Sequence, residues 1–411
     1  MERVVERNNC IAALKRVKKN KGSPGIDEMT VEELPAYLAK NWLALREQLL
    51  SGTYQPKPVK RQPIPKSGGG IRELGIPCVL DRFIQQAILQ VLQPRFDPTF
   101  SEHSHGFRPG RRAHDAVCAA QKYIQEGKTW VVDVDLESFF DRVNHDVLMG
   151  RLAKRIVDKR MLGLIRRYLK AGVMVNGVTV EARWDGTPQG GPLSPLLANV
   201  LLDEVDRKLE QRGHAFARYA DDCNVYVQSK RAGERVMRAL RRQYATLQLR
   251  INETKSAVAR PWERKFLGFT FLLTQKGQVL RKVSPQALAK LKERVRVLTG
   301  RSRGRSLAMV VAQLSRYLRG WKSYFHLNQA KGTLRRIDKW IRRRLRMVQL
   351  KQWKNKRTVW RELQARGVSD YSKRAATKHA TRWWRMAKHP ALNFALPTSY
   401  YDRLGIPRLE A

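Results

Sequence analysis

Hydrophobic positions along this chain follow two different periods, and the change between them divides it. Over "TWVVDVDLESFFD" (129–141) the β-branched Val131, Val132 and Val134 fall in an alternating pattern, so the segment starts as a strand. "FARYADDCNVYVQS" (216–229) predicts strand, turn and strand, with Ala220, Asp221 and Asp222 near the bend. A short strand pair is expected around "FLGFTFLL" (266–273). Helical spacing lies between and after these. "DRFIQQAILQVLQPRF" (81–96) predicts a helix ending before Pro94. "EVDRKLEQRG" (204–213) predicts a helix with a Gly stop, and a further helix is expected over 231–247. "SPQALAKLKERVRVLTG" (284–300) opens with a Ser cap and Pro at the first helical position. In 332–356, Leu334, Ile337, Ile341, Leu345 and Val348 recur at helical spacing with arginines between them.

The first 280 residues thus mix helices and strands and the remainder is helical, which makes the fold class α+β. No internal repeat is present, and the one low-complexity piece, "KSGGG" (66–70), reads as a turn.

Charge sharpens the division. The 411 residues carry 81 Lys and Arg against 36 Asp and Glu, a net +45. From Arg281 to Ala411 the balance is 34 basic to 6 acidic, so +28 of that excess sits in the last 131 positions. A field of this sign attracts polyanions and points to nucleic acid as the partner. A hydrophobic content of 42% implies a packed core and argues against a disordered basic tail. Cys10, Cys78, Cys118 and Cys223 form no CxxC pair and the eight histidines no ligand-spaced cluster, which argues against zinc and fits a reducing compartment. No apolar run has spanning length and "MERVVERNNC" is too charged for a signal peptide, so the expectation is a cytoplasmic protein with no membrane partner.

Against this excess of cations, Asp221 and Asp222 stand adjacent between apolar and aromatic residues. One reading is an ordinary hairpin tip. The other is a divalent-cation site, since a cation relieves the repulsion between neighbouring carboxylates and Mg²⁺ suits a few carboxylates plus substrate phosphates. "VVDVDLESFF" offers Asp133 and Asp135 at the end of another strand as a third ligand. Two ions held ~3.5–4 Å apart activate a 3′-hydroxyl and stabilise a leaving pyrophosphate. "KSGGGIREL" places Lys66 and Arg72 on either side of a tight turn; two such cations can clamp a triphosphate, but taken alone the segment reads as a solvated β-turn.

"YADD" resembles the catalytic motif of reverse transcriptases. Seven further blocks occur with it in order: "KRVKKNKGSPGIDEMT" (15–30), "PIPKSGGGIRELGIPCVLDRFIQQAIL" (63–89), "HSHGFRPGRRAHDAV" (103–117), "VVDVDLESFFDRVNHDVLM" (131–149), "GTPQGGPLSPLLANVLLDEVD" (186–206), "LQLRINETKSAV" (247–258) and "FLGFTF" (266–271). "YLRGWKSYFH" (317–326) is similar to a thumb segment. Together they resemble the bacterial group II intron-encoded reverse transcriptase/maturase family over nearly the whole chain.

The resemblance implies a right-hand polymerase. It has an N-terminal extension over the template (1–30), fingers and an antiparallel-sheet palm (31–278), an all-α, maturase X-like thumb (279–352) and a small basic C-terminal nucleic-acid-binding region (353–411). It implies RNA-directed DNA synthesis with two Mg²⁺ ions, for which Mn²⁺ can substitute. The implied partners are group II intron RNA, an RNA template with a DNA primer or product duplex, dNTPs and target DNA. In polymerases of this type an aromatic gate against the ribose 2′-hydroxyl lies five positions after the first catalytic aspartate. Phe140 in that role selects Asp135, with Asp221 and Asp222, as the metal-binding and catalytic set, and leaves Asp133 as support. Gln189 and Lys255 join Lys66, Arg72 and Phe140 around the nucleotide, and Arg108, Arg111 and Arg112 are expected on the template.

Trp340, Trp353 and Trp360 fit either base stacking or a helical core. The chain stops at "GIPRLEA" without the Cys/His-rich endonuclease segment of some relatives, so it resembles the compact group IIC type. Two other functions stay open: a splicing maturase or RNA-binding protein with a decayed polymerase, and a domesticated reverse transcriptase in phage defence or repair.

Overall fold

The computed structural model describes residues 1–65, 71–175, 179–181, 186, 190–301, 304–378 and 382–410. Its centre is a four-stranded antiparallel sheet in the order Ala215–Tyr219, Asp222–Val227, Trp130–Val134, Ala257–Ala259. The three strands expected within 129–141 and 216–229 are all here. Val132 lies across from Val225, and Val134 from Cys223. These apolar pairs share one face because side chains alternate along a strand. All four are buried. Helix Lys230–Thr246 covers that face. A Cβ at its Gly233 would fall 2.5 Å from a Val258 methyl and 3.5 Å from Val132 and Val227.

Helix Ser194–Gln211 joins the same core through Leu197, Leu201 and Val205. It is much longer than the expected 204–213. Helix Val79–Phe96 continues through Pro94, against the expected stop. Pro94 falls in the last turn, where the helix forfeits one N–H bond. The burial of Leu92 and Phe96 outweighs that loss. A second four-stranded sheet is built from Val59–Pro65, Ile71–Ile76, Val173–Val175 and Thr179–Glu181. The strands flanking 66–70 pair antiparallel, Pro65 with Ile71 and Ile64 with Arg72.

The chain separates into two compact units, Met1–Pro261 and Trp262–Ala411. The division by packing therefore precedes the division by charge. The second unit begins with a strand pair, Phe269–Leu273 and Val279–Val283. Helices follow, including Pro285–Leu298, capped by the Ser284 hydroxyl accepting from the Ala287 N–H, and Lys331–Trp353. Leu291, Leu314, Leu318, Ile341, Leu345 and Trp353 form its core. Trp353 is thus a core residue, with Arg366 over its ring at 5.2 Å. Trp340 packs partly buried against the same core, and Trp360 is half-buried beneath the Lys373 ammonium.

Not every arginine of Lys331–Trp353 faces solvent. Arg342 is 1% exposed and donates to Asp338 at 3.2 Å and Asp402 at 2.9 Å, and Arg346 donates to the Leu396 carbonyl. Among the described residues, no helix is long and apolar enough to cross a membrane.

Candidate active site

Asp221 and Asp222 lie where the hairpin turns. Tyr219 and Asp222 pair across a two-residue connection, Ala220–Asp221. Ala220 has φ 59°, the left-handed region that a Cβ disfavours by roughly 1–2 kcal/mol. Two-residue hairpins with positive φ at the first loop position usually place glycine there. A strained alanine in this turn is a feature the surrounding structure must hold.

The neighbouring strand supplies the third carboxylate through register. Val134 lies across from Cys223, so the next position, Asp135, falls across from Asp222. Residues two apart on a strand share a face, which puts Asp133 and Asp135 on the side of Asn224 and Asp222, away from the apolar core. The two candidates differ in surroundings. With its amide nitrogen toward the carboxylate, the buried Asn224 donates to Asp133 Oδ1 at 2.9 Å. Asp135 stands at the strand end, 31% exposed, with Lys255 Nζ 3.5 Å from its Oδ1. Its backbone is fixed on both sides. The Asp135 N–H donates to Ser256 Oγ at 3.0 Å and its carbonyl accepts from the Asn252 N–H at 2.8 Å.

Asp221 is half-buried and Asp222 exposed. The carboxylates are therefore less desolvated than the apolar flanking sequence suggested, and repulsion between them is eased by water. Among the described residues, no three His, Cys, Asp or Glu side chains stand as a ready metal-binding group. The donor set nevertheless suits a hard divalent cation, since carboxylates on adjacent strand ends face the same side and supply only oxygen.

Phe140 lies in the short turn Phe139–Asp141, half-buried against the core, with its ring 5.1 Å from that of Phe139. The segment after it is reached by the loop before helix Ser194–Gln211. His145 Nε2 and the Gly186 carbonyl are 2.7 Å apart, and the Gly186 N–H donates to the Val143 carbonyl. Gly190 has φ 138°, and a Cβ there would sit 2.8 Å from the Gly75 carbonyl oxygen. This close approach sets the loop against the strand that carries Arg72. Lys66 and Gln189 lie outside the described residues, and Arg72 is described by its backbone alone.

The three arginines expected on the template separate. Arg108 is a correction. Its side chain is 3% exposed, and it donates to Asp97 Oδ1 at 2.9 Å and to the carbonyls of Asp97, Ser101 and Ser104. A guanidinium so enclosed holds its own turn and has no surface for a phosphate. Arg111 is engaged with Glu102 through both its carboxylate and its carbonyl. Arg112 is 73% exposed, beside Asp115.

Sequence reasoning passed over four residues that converge on the turn: Gly106, Asn199, Asp206 and Arg218. Arg218 forms a buried ion pair with Asp206, and their side chains are 1% and 0% exposed. Burial alone depresses a guanidinium pKa, but the Asp206 carboxylate outweighs it and holds Arg218 above its ordinary value. Next to it, burial pushes the Cys223 thiol up to about 12. The signal for Arg218 was a cation in an otherwise apolar, alternating strand. The residues that receive it lie far away in sequence.

The adjacent carboxylates at the hairpin turn thus lie beside a third aspartate at the end of the neighbouring strand. The family model described as Reverse transcriptase (RNA-dependent DNA polymerase) matches residues 64–271, just over half of the chain, and the chain belongs to that family. A second model, Group II intron, maturase-specific domain, matches residues 288–367.

The chain is 41% identical over 198 residues to Protein YkfC of Escherichia coli (strain K12), a match covering 47% of this chain and 52% of that protein. It is 40% identical over 173 residues to Group II intron-encoded protein LtrA of Lactococcus lactis subsp. cremoris, covering 42% of this chain and 28% of that one. It therefore spans about half or less of the length of these relatives. Among solved structures, a chain of a partial Cas6-RT-Cas1–Cas2 complex aligns over 59% of this chain and 42% of its own at TM-score 0.38 and 25% identity. Reverse transcriptases generally use divalent metal ions, and the α+β fold read from the sequence agrees with the family.

Proposed function

We propose that this protein is an RNA-directed DNA polymerase that copies group II intron RNA into DNA, and that it assists splicing and mobility of that RNA. The carrying observation is the register that sets Asp135 across from Asp222 beside the Ala220–Asp221 turn. The family membership and the maturase-specific segment support the same reading.

In this reading Asp135, Asp221 and Asp222 hold two Mg²⁺ ions, or Mn²⁺ in their place. Bound there, the ions supply Lewis acidity toward a primer 3′-oxygen and a departing pyrophosphate. The protein's own groups do the rest. The Asp135 backbone, fixed by Ser256 and Asn252, keeps its carboxylate at the strand end. Lys255, 64% exposed and paired with Asp135 at 3.5 Å, supplies a positive charge near the leaving group as negative charge builds on it. Phe140, backed by Phe139, crowds a ribose 2′-hydroxyl and favours deoxynucleotides. Lys66 and Arg72 clamp the triphosphate, and Gln189 lines the nucleotide. Arg112, with Arg111, meets the template backbone. The basic second unit carries cations for the duplex and the intron RNA, and target DNA is a further substrate.

Primer extension with dNTPs on an RNA template tests the reading. Wild type is expected to extend the primer, and Asp222→Ala to abolish extension while retaining template binding. Extension that survives Asp222→Ala would place the chemistry elsewhere. An inactive wild type that still promotes intron splicing would leave a maturase alone.

A further inference from the structure

Arg218 is fully enclosed, and each of its five N–H bonds has a partner. Nε donates to both carboxylate oxygens of Asp206, at 2.8 and 3.0 Å. Nη2 donates to Asp206 Oδ2 at 2.5 Å and to Ser104 Oγ at 2.7 Å. Nη1 leaves the ion pair and donates to Asn199 Oδ1 at 3.0 Å and to the Ala220 carbonyl at 2.9 Å. The Asn199 amide continues to the Gly106 carbonyl at 2.9 Å. Gly106 closes the circuit by packing on the turn, since a Cβ there would lie 2.2 Å from the Ala220 nitrogen. The segment before Gly106 is also bonded to the strand, with the His105 N–H donating to the Arg218 carbonyl and the Arg218 N–H to the His103 carbonyl.

A buried ion pair that served stability alone would have no need to reach a strained turn. Only the planar fork of arginine can hold a carboxylate with one edge and a backbone carbonyl with the other. The ring Arg218–Asn199–Gly106–Ala220 grips the one residue of the hairpin in the left-handed region, directly before Asp221.

We propose that Arg218, Asn199 and Gly106 are positioning residues that lock the Ala220 turn and so fix the Asp221 and Asp222 carboxylates for divalent-cation binding. The ring touches neither primer nor nucleotide and acts through the turn. The inference rests on the polymerase reading of the site.

Two variants test it. Asn199→Ala breaks the ring without leaving a charge unpaired. Arg218→Lys keeps a cation for Asp206 and loses the fork. Mn²⁺ binding is followed by the free-ion EPR signal in a complex of full-length protein, RNA template, dideoxy-terminated primer and dNTP, where no turnover occurs. Single-turnover extension is measured in parallel. Both variants are expected to bind Mn²⁺ about 10–100-fold more weakly and to extend more slowly by a similar factor, with duplex affinity and the KM for dNTP unchanged. A merely structural role would lower the melting temperature and the active fraction, and leave Mn²⁺ affinity and the rate per active site as in wild type. That result overturns the proposal. If Arg218→Lys does not fold, Asn199→Ala decides alone. Asp222→Ala run alongside keeps the two claims apart. Its survival sinks the polymerase reading, whereas wild-type behaviour of the two ring variants beside an inactive Asp222→Ala sinks only this inference.

Discussion

Replacing Asp206 by Asn should destabilise the first unit severely although the side chain keeps its shape. The carboxylate is 0% exposed and accepts three hydrogen bonds from a guanidinium that is 1% exposed. An amide leaves one acceptor and turns an NH₂ donor toward the guanidinium. Removing one partner of a buried ion pair costs about 3–5 kcal/mol, because the remaining charge stays buried without its counter-ion. Arg218 retains Asn199, Ser104 and the Ala220 carbonyl, so the lower end, about 3 kcal/mol, is expected.

For a domain of this size each kcal/mol moves the melting temperature by roughly 2–4 °C, so calorimetry at a fixed scan rate should record a fall of about 6–12 °C. Replacing both partners, Asp206→Leu with Arg218→Met, removes the stranded charge and should recover part of that fall. It should not recover extension, since the Ala220 carbonyl then has no fork to hold it. A fall below about 2 °C for Asp206→Asn would refute the reasoning, because the pair would then be as weak as one at the surface.

Three other outcomes follow from the geometry. Phe140→Ala should raise ribonucleotide relative to deoxynucleotide incorporation by at least about 10-fold, measured as the ratio of kcat/KM values, and an unchanged ratio removes Phe140 as the gate. Arg112→Ala should flatten the salt dependence of template binding by about one unit of slope without changing the melting temperature, whereas Arg108→Ala should do the reverse. Asp81, buried, with Tyr54 Oη donating to it at 2.8 Å, has its pKa raised from 3.8 to about 6, mainly by desolvation. A raised carboxyl pKa means that the folded state holds the proton longer than the unfolded chain. The stabilisation is complete below the unfolded value and is lost as pH rises through about 6. The stability of wild type relative to Asp81→Asn should therefore fall by about 2–3 kcal/mol between pH 4 and pH 7 in urea titrations, and a flat difference would contradict the assignment.

The central sheet and its acidic hairpin were legible because both faces obey local rules. Val131, Val132 and Val134 announce a strand, and the two aspartates interrupt an alternating run where a turn must fall. What was hidden depends on contacts between distant segments. Arg108 reads as an exposed cation beside a Pro-Gly turn, yet it folds back onto Asp97 and carbonyls of its own loop. The expected helix end at Pro94 followed a sound local rule that burial of Phe96 overrides. Gly106 carried no local signal, because the need for glycine arises only when Ala220 is laid against it. The choice of Asp135 over Asp133 came from the resemblance. The structure adds a physical difference, with Asp133 bonded by a buried Asn224 and Asp135 at the strand end beside Lys255.

The most direct measurement is anomalous diffraction from crystals of the protein with RNA template, dideoxy-terminated primer, dNTP and Mn²⁺. The account predicts two manganese peaks, with oxygens of Asp135 and Asp221 at roughly 2.1 Å and Asp222 completing the shell. Manganese held by Asp133 in place of Asp135, or no peak at the hairpin while nucleotide is bound, would contradict it.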